Sequence, residues 1–171
     1  MFMTAFFIVL AAVQLLLPTA DEPVILVNKA VHELVVYEDG EQMFQAPAAI
    51  GKTDELTPEG LFQVKVKAVD PYYRKTNIPG GVPENPLGSR WIGFDAEGTD
   101  GRIYGIHGTN QPESIGTSAS AGCIRLQNVD VEALYAMVEK DTDVWIVDQP
   151  DVSMEDLYEH WLKKKWQQFL N

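Results

Sequence analysis

The sequence predicts a mainly β, β-rich α+β fold. Three observations carry this. Runs such as Val24–Asn28 and Leu61–Ala68 have the short lengths and period-two alternation of strands. Gly, Pro and Asp clusters separate these runs at short intervals. Helical periodicity is confined to a stretch after Asn128 and to the tail from Val152 to Asn171.

The chain has 171 residues, 46% of them apolar, enough for one domain with a real core. Its formal net charge of −12 excludes nonspecific binding to nucleic acid or anionic membranes as a main activity. One cysteine cannot form an internal disulfide, so a free thiol, or at most an intermolecular pair, is expected.

At the N-terminus, Ala5 to Leu17 is apolar except for Gln14, and Pro18-Thr19-Ala20 then leads into acidic Asp21-Glu22. Residues 1–20 read as a signal peptide or an uncleaved N-terminal anchor. Both place the rest of the chain outside the cytoplasmic membrane, secreted or anchored in the envelope. Val24–Asn28 and the run from His32 are strands, with Asp39-Gly40 as a hairpin turn. His32 reads as a surface residue. Lys52–Gly60 is a polar loop. In the next strand Leu61, Gln63, Lys65 and Lys67 share one side, and Phe62, Val64, Val66 and Ala68 the other, so the lysines are expected to face outward.

Asp70–Gly88 holds four prolines and three glycines, which rules out a helix or central strand. A long loop of this kind is usually functional or disordered; its Tyr72, Tyr73, Arg74 and Lys75 suit the wall of a substrate groove, the alternative being a mobile surface loop without substrate contact. Arg90–Asp95 and Arg102–His107 are strands. Pro112–Ala121 reads as a flexible polar loop. Asn128 is placed to cap a helix over Val129–Glu139. Asp143–Asp148 is the last strand. In the tail, Met154, Leu157, Tyr158, Trp161, Leu162, Trp166, Phe169 and Leu170 fall on one helical face, with Ser153 as N-cap and Asp156 three residues on. That stripe either docks on the domain or lies on a membrane surface or partner. The expected organisation is 1–20 leader or anchor, 21–150 domain, and 151–171 amphipathic helix.

The chemistry concentrates in HGTNQPESIGTSASAGCIR, residues 107–125. It contains the only cysteine, Cys123, and His107, one of three histidines. An imidazole can take the proton of a thiol whose ordinary pKa is about 8.5 and make it a nucleophile. Gly122 beside Cys123 lets a substrate carbonyl approach the backbone, so the N–H groups of Gly122 and Cys123 are candidate oxyanion donors. Three scattered histidines and one cysteine give no short zinc-type spacing, and no phosphate or dinucleotide loop appears, so neither metal nor cofactor is expected. The papain order, with cysteine before histidine, is also absent.

These residues resemble the signature of the L,D-transpeptidase catalytic domain, the YkuD type. His107-Gly108 and Ser120-Ala121-Gly122-Cys123-Ile124-Arg125 match its H-G and S-x-G-C-x-R elements. Thr57-Pro58-Glu59-Gly60 resembles the T-P-x-G turn, Pro86-Leu87-Gly88-Ser89-Arg90 the approach to a strand, and Tyr104–Thr109 the strand leading to the histidine. The likeness runs over roughly residues 24–148. One departure is Ala121, where many members carry histidine, so the role of base falls on His107 alone.

The resemblance implies a YkuD-like β-sandwich and an enzyme acting on peptidoglycan stem peptides as a monomer. Cys123 is then the nucleophile, His107 the base, and the Gly108 carbonyl the group that orients it. Gly122, Ser120, Arg125, Thr109 and Tyr104 make up the substrate and oxyanion surroundings. Arg125 either holds a stem carboxylate or props the loop. Alternatives are an L,D-carboxypeptidase or cross-link hydrolase using the same site, and a noncatalytic wall-binding protein.

Overall fold

The computed structural model describes residues 22–170, so the leader or anchor expected at 1–20 lies outside the described residues. The strands are β1 (Val24–Asn28), β2 (Glu33–Glu38), β3 (Glu41–Pro47), β4 (Ile50–Gly51), β5 (Gly60–Val69), β6 (Arg90–Phe94), β7 (Tyr104–His107), β8 (Ser118–Ser120), β9 (Ile124–Arg125) and β10 (Asp143–Val147). The helices are α1 (Asn128–Met137) and α2 (Met154–Leu170).

Eight strands form one sheet in the order β3-β2-β1-β10-β5-β6-β7-β9. β10, late in sequence, inserts at the centre and runs parallel to β1. This corrects the expected sandwich: the layer is a single sheet curled into a half-barrel. The segment that leaves one edge strand, β3, bonds to the other edge strand, β9. Ala49 N–H donates to the Arg125 carbonyl and Arg125 N–H to the Ala49 carbonyl, both at 2.9 Å. This single bridge pairs backbone that the short β9 edge would otherwise expose. The Pro112–Ala121 loop is correspondingly less free than its composition suggests, because β8 within it pairs with β4.

The curl encloses one core. Ile25, Val27, Leu34, Val36, Val64, Ile92, Phe94, Ile106, Ile124, Val144 and Ile146 face inward against Val131, Leu134 and Val138. The period-two pattern supplies this face, except in β5. There the pairing with β6 shifts between Val64 and Val66. A bulge adds one residue and reverses facing beyond it. Lys67 therefore pairs with core-facing Ile92. Its ammonium lies 4.4 Å from the Tyr135 ring centroid and bonds to the Val138 carbonyl at the end of α1. The expected outward face of Lys65 and Lys67 thus holds only for Lys65.

The outer face of β1, β2 and β10 is covered by α2. Val24, Leu26, Val35, Tyr37 and Val147 pack against Met154, Leu157, Tyr158 and Trp161. Tyr37 and Tyr158 stack with centroids 4.5 Å apart. The Trp161 indole N–H donates to Asp143 at 3.1 Å. Ser153 caps α2, accepting the Asp156 N–H at 3.1 Å. Of the two readings of the tail, docking on the sheet is the one the packing shows. Trp161 is 1% exposed. Trp161→Ala is expected to remove about 3–5 kcal/mol of unfolding free energy in urea titration. A loss under about 1 kcal/mol, the size of a surface substitution, would mean that α2 contributes little to the folded unit.

Candidate active site

β7 and β9 run parallel, with Ile106 opposite Ile124 and His107 opposite Arg125. Side chains alternate across a strand, so Ile106 and Ile124 enter the core while His107 and Arg125 take the other face. Cys123, two residues before Arg125, follows the same alternation beside Gly105. Its Sγ donates to the Ile103 carbonyl at 3.5 Å, and the Gly105 backbone N–H faces the sulfur. Imidazole and thiol therefore belong to adjacent chain segments on one face, diagonal to each other. Trp91, opposite His107 on β6, stacks on the imidazole with centroids 5.6 Å apart. A side chain on Gly105 would collide with that indole.

His107 is 4% exposed. Its Nδ1 lies 2.5 Å from the Gly108 carbonyl. A carbonyl only accepts, so Nδ1 carries the proton and Nε2 keeps its lone pair. This is the arrangement expected of Gly108 from the sequence.

The turn before Cys123 is fixed from two sides. The Ser120 hydroxyl donates to the Cys123 carbonyl at 2.6 Å and accepts the Gly122 N–H at 3.0 Å. The Thr57 hydroxyl donates to the Gly122 carbonyl at 3.1 Å. Gly122 has φ +131°, and a Cβ there would lie 2.5 Å from the Leu56 carbonyl oxygen, so no other residue fits. One expectation is corrected here. The Gly122 N–H is already taken by Ser120 and is not an open oxyanion donor, which leaves the N–H of Cys123.

Asn128 does not cap α1 as its position suggested. Gln127 occupies the cap, and the Asn128 amide turns outward from the helix. Its oxygen accepts the N–H groups of Ser89 at 3.2 Å and Thr109 at 3.3 Å, and its NH2 donates to the Thr109 carbonyl at 3.2 Å. It thereby ties the turn after His107 to the end of the 70–88 loop. A Cβ on Gly108 or Gly88 would lie 2.1 Å from that oxygen. Paired glycines in the H-G and L-G motifs were the available signal for such a clamp.

The remaining residues separate by role. Thr109 is buried and accepts the Gln111 N–H, shaping the turn. The Tyr104 hydroxyl donates to Glu97 while its ring stands beside Gly122. Arg125 is half-buried, with Gln111 at 3.4 Å, and no carboxylate pairs with it among the described residues. The 70–88 loop is held internally by Asn85, whose amide donates to the Pro71 and Pro79 carbonyls. With Ser89, Thr109, Asn110 and Asn128 it lines a cavity of about 220 Å³ beside the His107 turn.

Burial pulls the His107 pKa down to about 4, reinforced by the Arg125 charge and opposed by the backbone carbonyls of Gly108 and Leu87. Burial raises the Cys123 thiol, opposed by the Gly105 N–H and Arg125. At neutral pH both groups are therefore uncharged. Alkylation of Cys123 by iodoacetamide is expected to rise with pH into and beyond the ordinary thiol range, with no step near about 6.5. A rate already on a plateau at pH 6 would instead mark a preformed thiolate–imidazolium pair.

The same burial couples to stability. Above the ordinary imidazole value of 6.5, folded and unfolded chains are alike at this residue. As pH falls from there toward about 4, the unfolded chain takes a proton that the folded chain refuses, and stability drops. The expected loss is up to roughly 3 kcal/mol in urea titrations. His107→Gln should lack that part of the slope.

Comparison with known proteins identifies the family. The family model described as L,D-transpeptidase catalytic domain matches residues 22–146. YqjB of Bacillus subtilis (strain 168), named as an L,D-transpeptidase, is 53% identical over 143 residues, covering 84% of this chain and 81% of that one. YcfS of Escherichia coli (strain K12) is 33% identical, covering 80% of this chain and 48% of its own. The chain thus spans most of the first relative and about half of the second. Among solved structures, the Ldtfm-avibactam carbamoyl enzyme superposes with a TM-score of 0.60 at 30% identity, covering 75% of this chain and 49% of that one. A cysteine-to-serine mutant of the Enterococcus faecium L,D-transpeptidase gives 0.58 at 26% identity, over 73% and 49%. The chain belongs to the L,D-transpeptidase (YkuD) catalytic-domain family, a family of cysteine-dependent enzymes.

Proposed function

We propose that this protein is a peptidoglycan L,D-transpeptidase with Cys123 as nucleophile and His107 as base. The observation that carries the reading is the bond between His107 Nδ1 and the Gly108 carbonyl, which leaves Nε2 unprotonated on the face that also bears the thiol. Nε2 takes the thiol proton as Cys123 attacks the carbonyl between the L- and D-centres of a tetrapeptide stem. The developing oxyanion is met by the Cys123 N–H. His107 then returns the proton to the departing D-amino acid. An amine of a second stem then attacks the thioester and gives its proton to His107; the carbon–sulfur bond breaks, the Cys123 sulfur leaves and takes that proton back, and a cross-link between third residues is formed.

Among the described residues Arg125 has no carboxylate partner, and it stands opposite His107, which suits a stem carboxylate. The cavity beside the His107 turn, lined by Asp70, Gly81–Pro83, Asn85 and Gly88 with Thr109 and Asn110 and not by Tyr72–Lys75, is room for part of a stem peptide in this reading. Acting on wall peptides places the folded part in the cell envelope, consistent with residues 1–20 as a leader or anchor.

The test is mass spectrometry of the intact protein and of the products after incubation with tetrapeptide stems. The expected result is an acyl adduct on wild type that is absent from Cys123→Ala, together with cross-linked dimers. Tripeptides without dimers would assign hydrolysis. Folded wild type with neither adduct nor product would refute the nucleophile.

A further inference from the structure

We propose that Lys29, far from the reacting atoms, is a positioning residue for Cys123, acting through the 52–59 loop and Thr57. The inference rests on the assignment of Cys123 as nucleophile and adds what holds it in place.

Lys29 lies in the turn between β1 and β2, and its side chain is 2% exposed. A lysine is rarely buried without partners, since removing an ammonium from water is costly unless it is paired and hydrogen-bonded. Here its donors go to the Asp54 carbonyl at 2.7 Å, Glu59 Oε1 at 3.0 Å and the Thr57 carbonyl at 3.4 Å. The Asp148 carboxylate lies 3.9 Å away. Every near partner is on one surface loop, whose own backbone bonding includes the turn from Leu56 N–H to the Thr53 carbonyl. The charge thus ties an irregular segment to the end of an interior strand, β1.

That segment then grips the nucleophile turn. Thr57 is 1% exposed. Its hydroxyl accepts the Gly51 N–H at 2.8 Å and donates to the Gly122 carbonyl at 3.1 Å. The neighbouring Leu56 carbonyl packs directly on Gly122. The Gly122 carbonyl belongs to the peptide whose nitrogen is the Cys123 N–H. Rotating that peptide moves the proposed oxyanion donor and the sulfur together. Lys29, Thr57 and Gly122 form a continuous line from the end of β1 to the reacting residue.

Three variants of the full chain test this: Lys29→Met, Thr57→Val and Thr57→Ser. Valine has the shape of threonine without the hydroxyl, and serine keeps the hydroxyl. Lys29→Gln, which keeps amide donors without the charge, replaces Lys29→Met if that variant does not fold. For stem-peptide turnover, Lys29→Met and Thr57→Val are expected to lower kcat about tenfold or more with KM within about twofold, while Thr57→Ser retains the wild-type kcat. The double variant should lose little more than either single one, because both act along one line. Iodoacetamide alkylation of the single cysteine is read in parallel. It should change at least about threefold, upward as the turn loosens, in Lys29→Met and Thr57→Val but not in Thr57→Ser. This arm needs no turnover, so it stands even if wild type proves inactive on stems. Thr57→Val matching Thr57→Ser in alkylation, or folded Lys29→Met alkylating at the wild-type rate, overturns the proposal.

Discussion

The parallel pairing of β7 with β9 is the constraint on which the site depends. It is short, with Ile106 opposite Ile124 and His107 opposite Arg125. Ile106 and Ile124, both 0% exposed, anchor it in the core. Burying two such side chains contributes several kcal/mol. Parallel strands need a long crossover, and here the crossover is the segment from Gly108 to Cys123. Imidazole and thiol thus lie at opposite ends of one connection. The core pair fixes the register, and the register fixes how the two functional groups sit on the opposite face.

A short β ladder cannot hold such a connection by itself. Side chains from elsewhere bind its backbone instead. Asn128 makes three hydrogen bonds to the turns around residues 89 and 109. Ser120 closes the turn before Cys123 on itself, and Thr57 ties it to the 52–59 loop. Each acts on main-chain groups, so the loops are set without occupying the surface where a substrate would lie. Glycines at 88, 108 and 122 are the counterpart, because each is a place where another group comes too close for a Cβ.

Much of the strand pattern was legible in the sequence, since period-two alternation and breaker residues are local properties. The Asp39-Gly40 hairpin is an example, with φ of 53° and 83° at the two positions. What could not be read depends on contacts between distant segments. The bulge in β5 is set by its pairing with β6, and it reverses the facing of Lys67 in a run whose alternation looks unbroken. The central place of β10 is decided by sheet assembly and not by its own residues. Asn128 carries the local signature of a helix cap, but its amide finds better partners across the fold. In the site, His107, Gly108 and Cys123 were legible because their types and order match a family signature. The commitment of the Gly122 N–H to Ser120 was not, since it follows from a turn that only coordinates define.

The electrostatics of the site bear on how the proposed reaction begins. Burial works in opposite chemical senses on the two partners: it weakens the imidazole as a base and weakens the thiol as an acid. Arg125 favours the thiolate yet disfavours the imidazolium, so it cannot drive the transfer from thiol to imidazole by itself. A resting ion pair is therefore disfavoured, and the proton stays on sulfur until a carbonyl arrives. Charge forming on a substrate oxygen near the Cys123 N–H compensates for charge forming on His107. In the proposed reaction proton transfer and attack therefore proceed together, and the thiol stays uncharged, and so less open to oxidation, between turnovers.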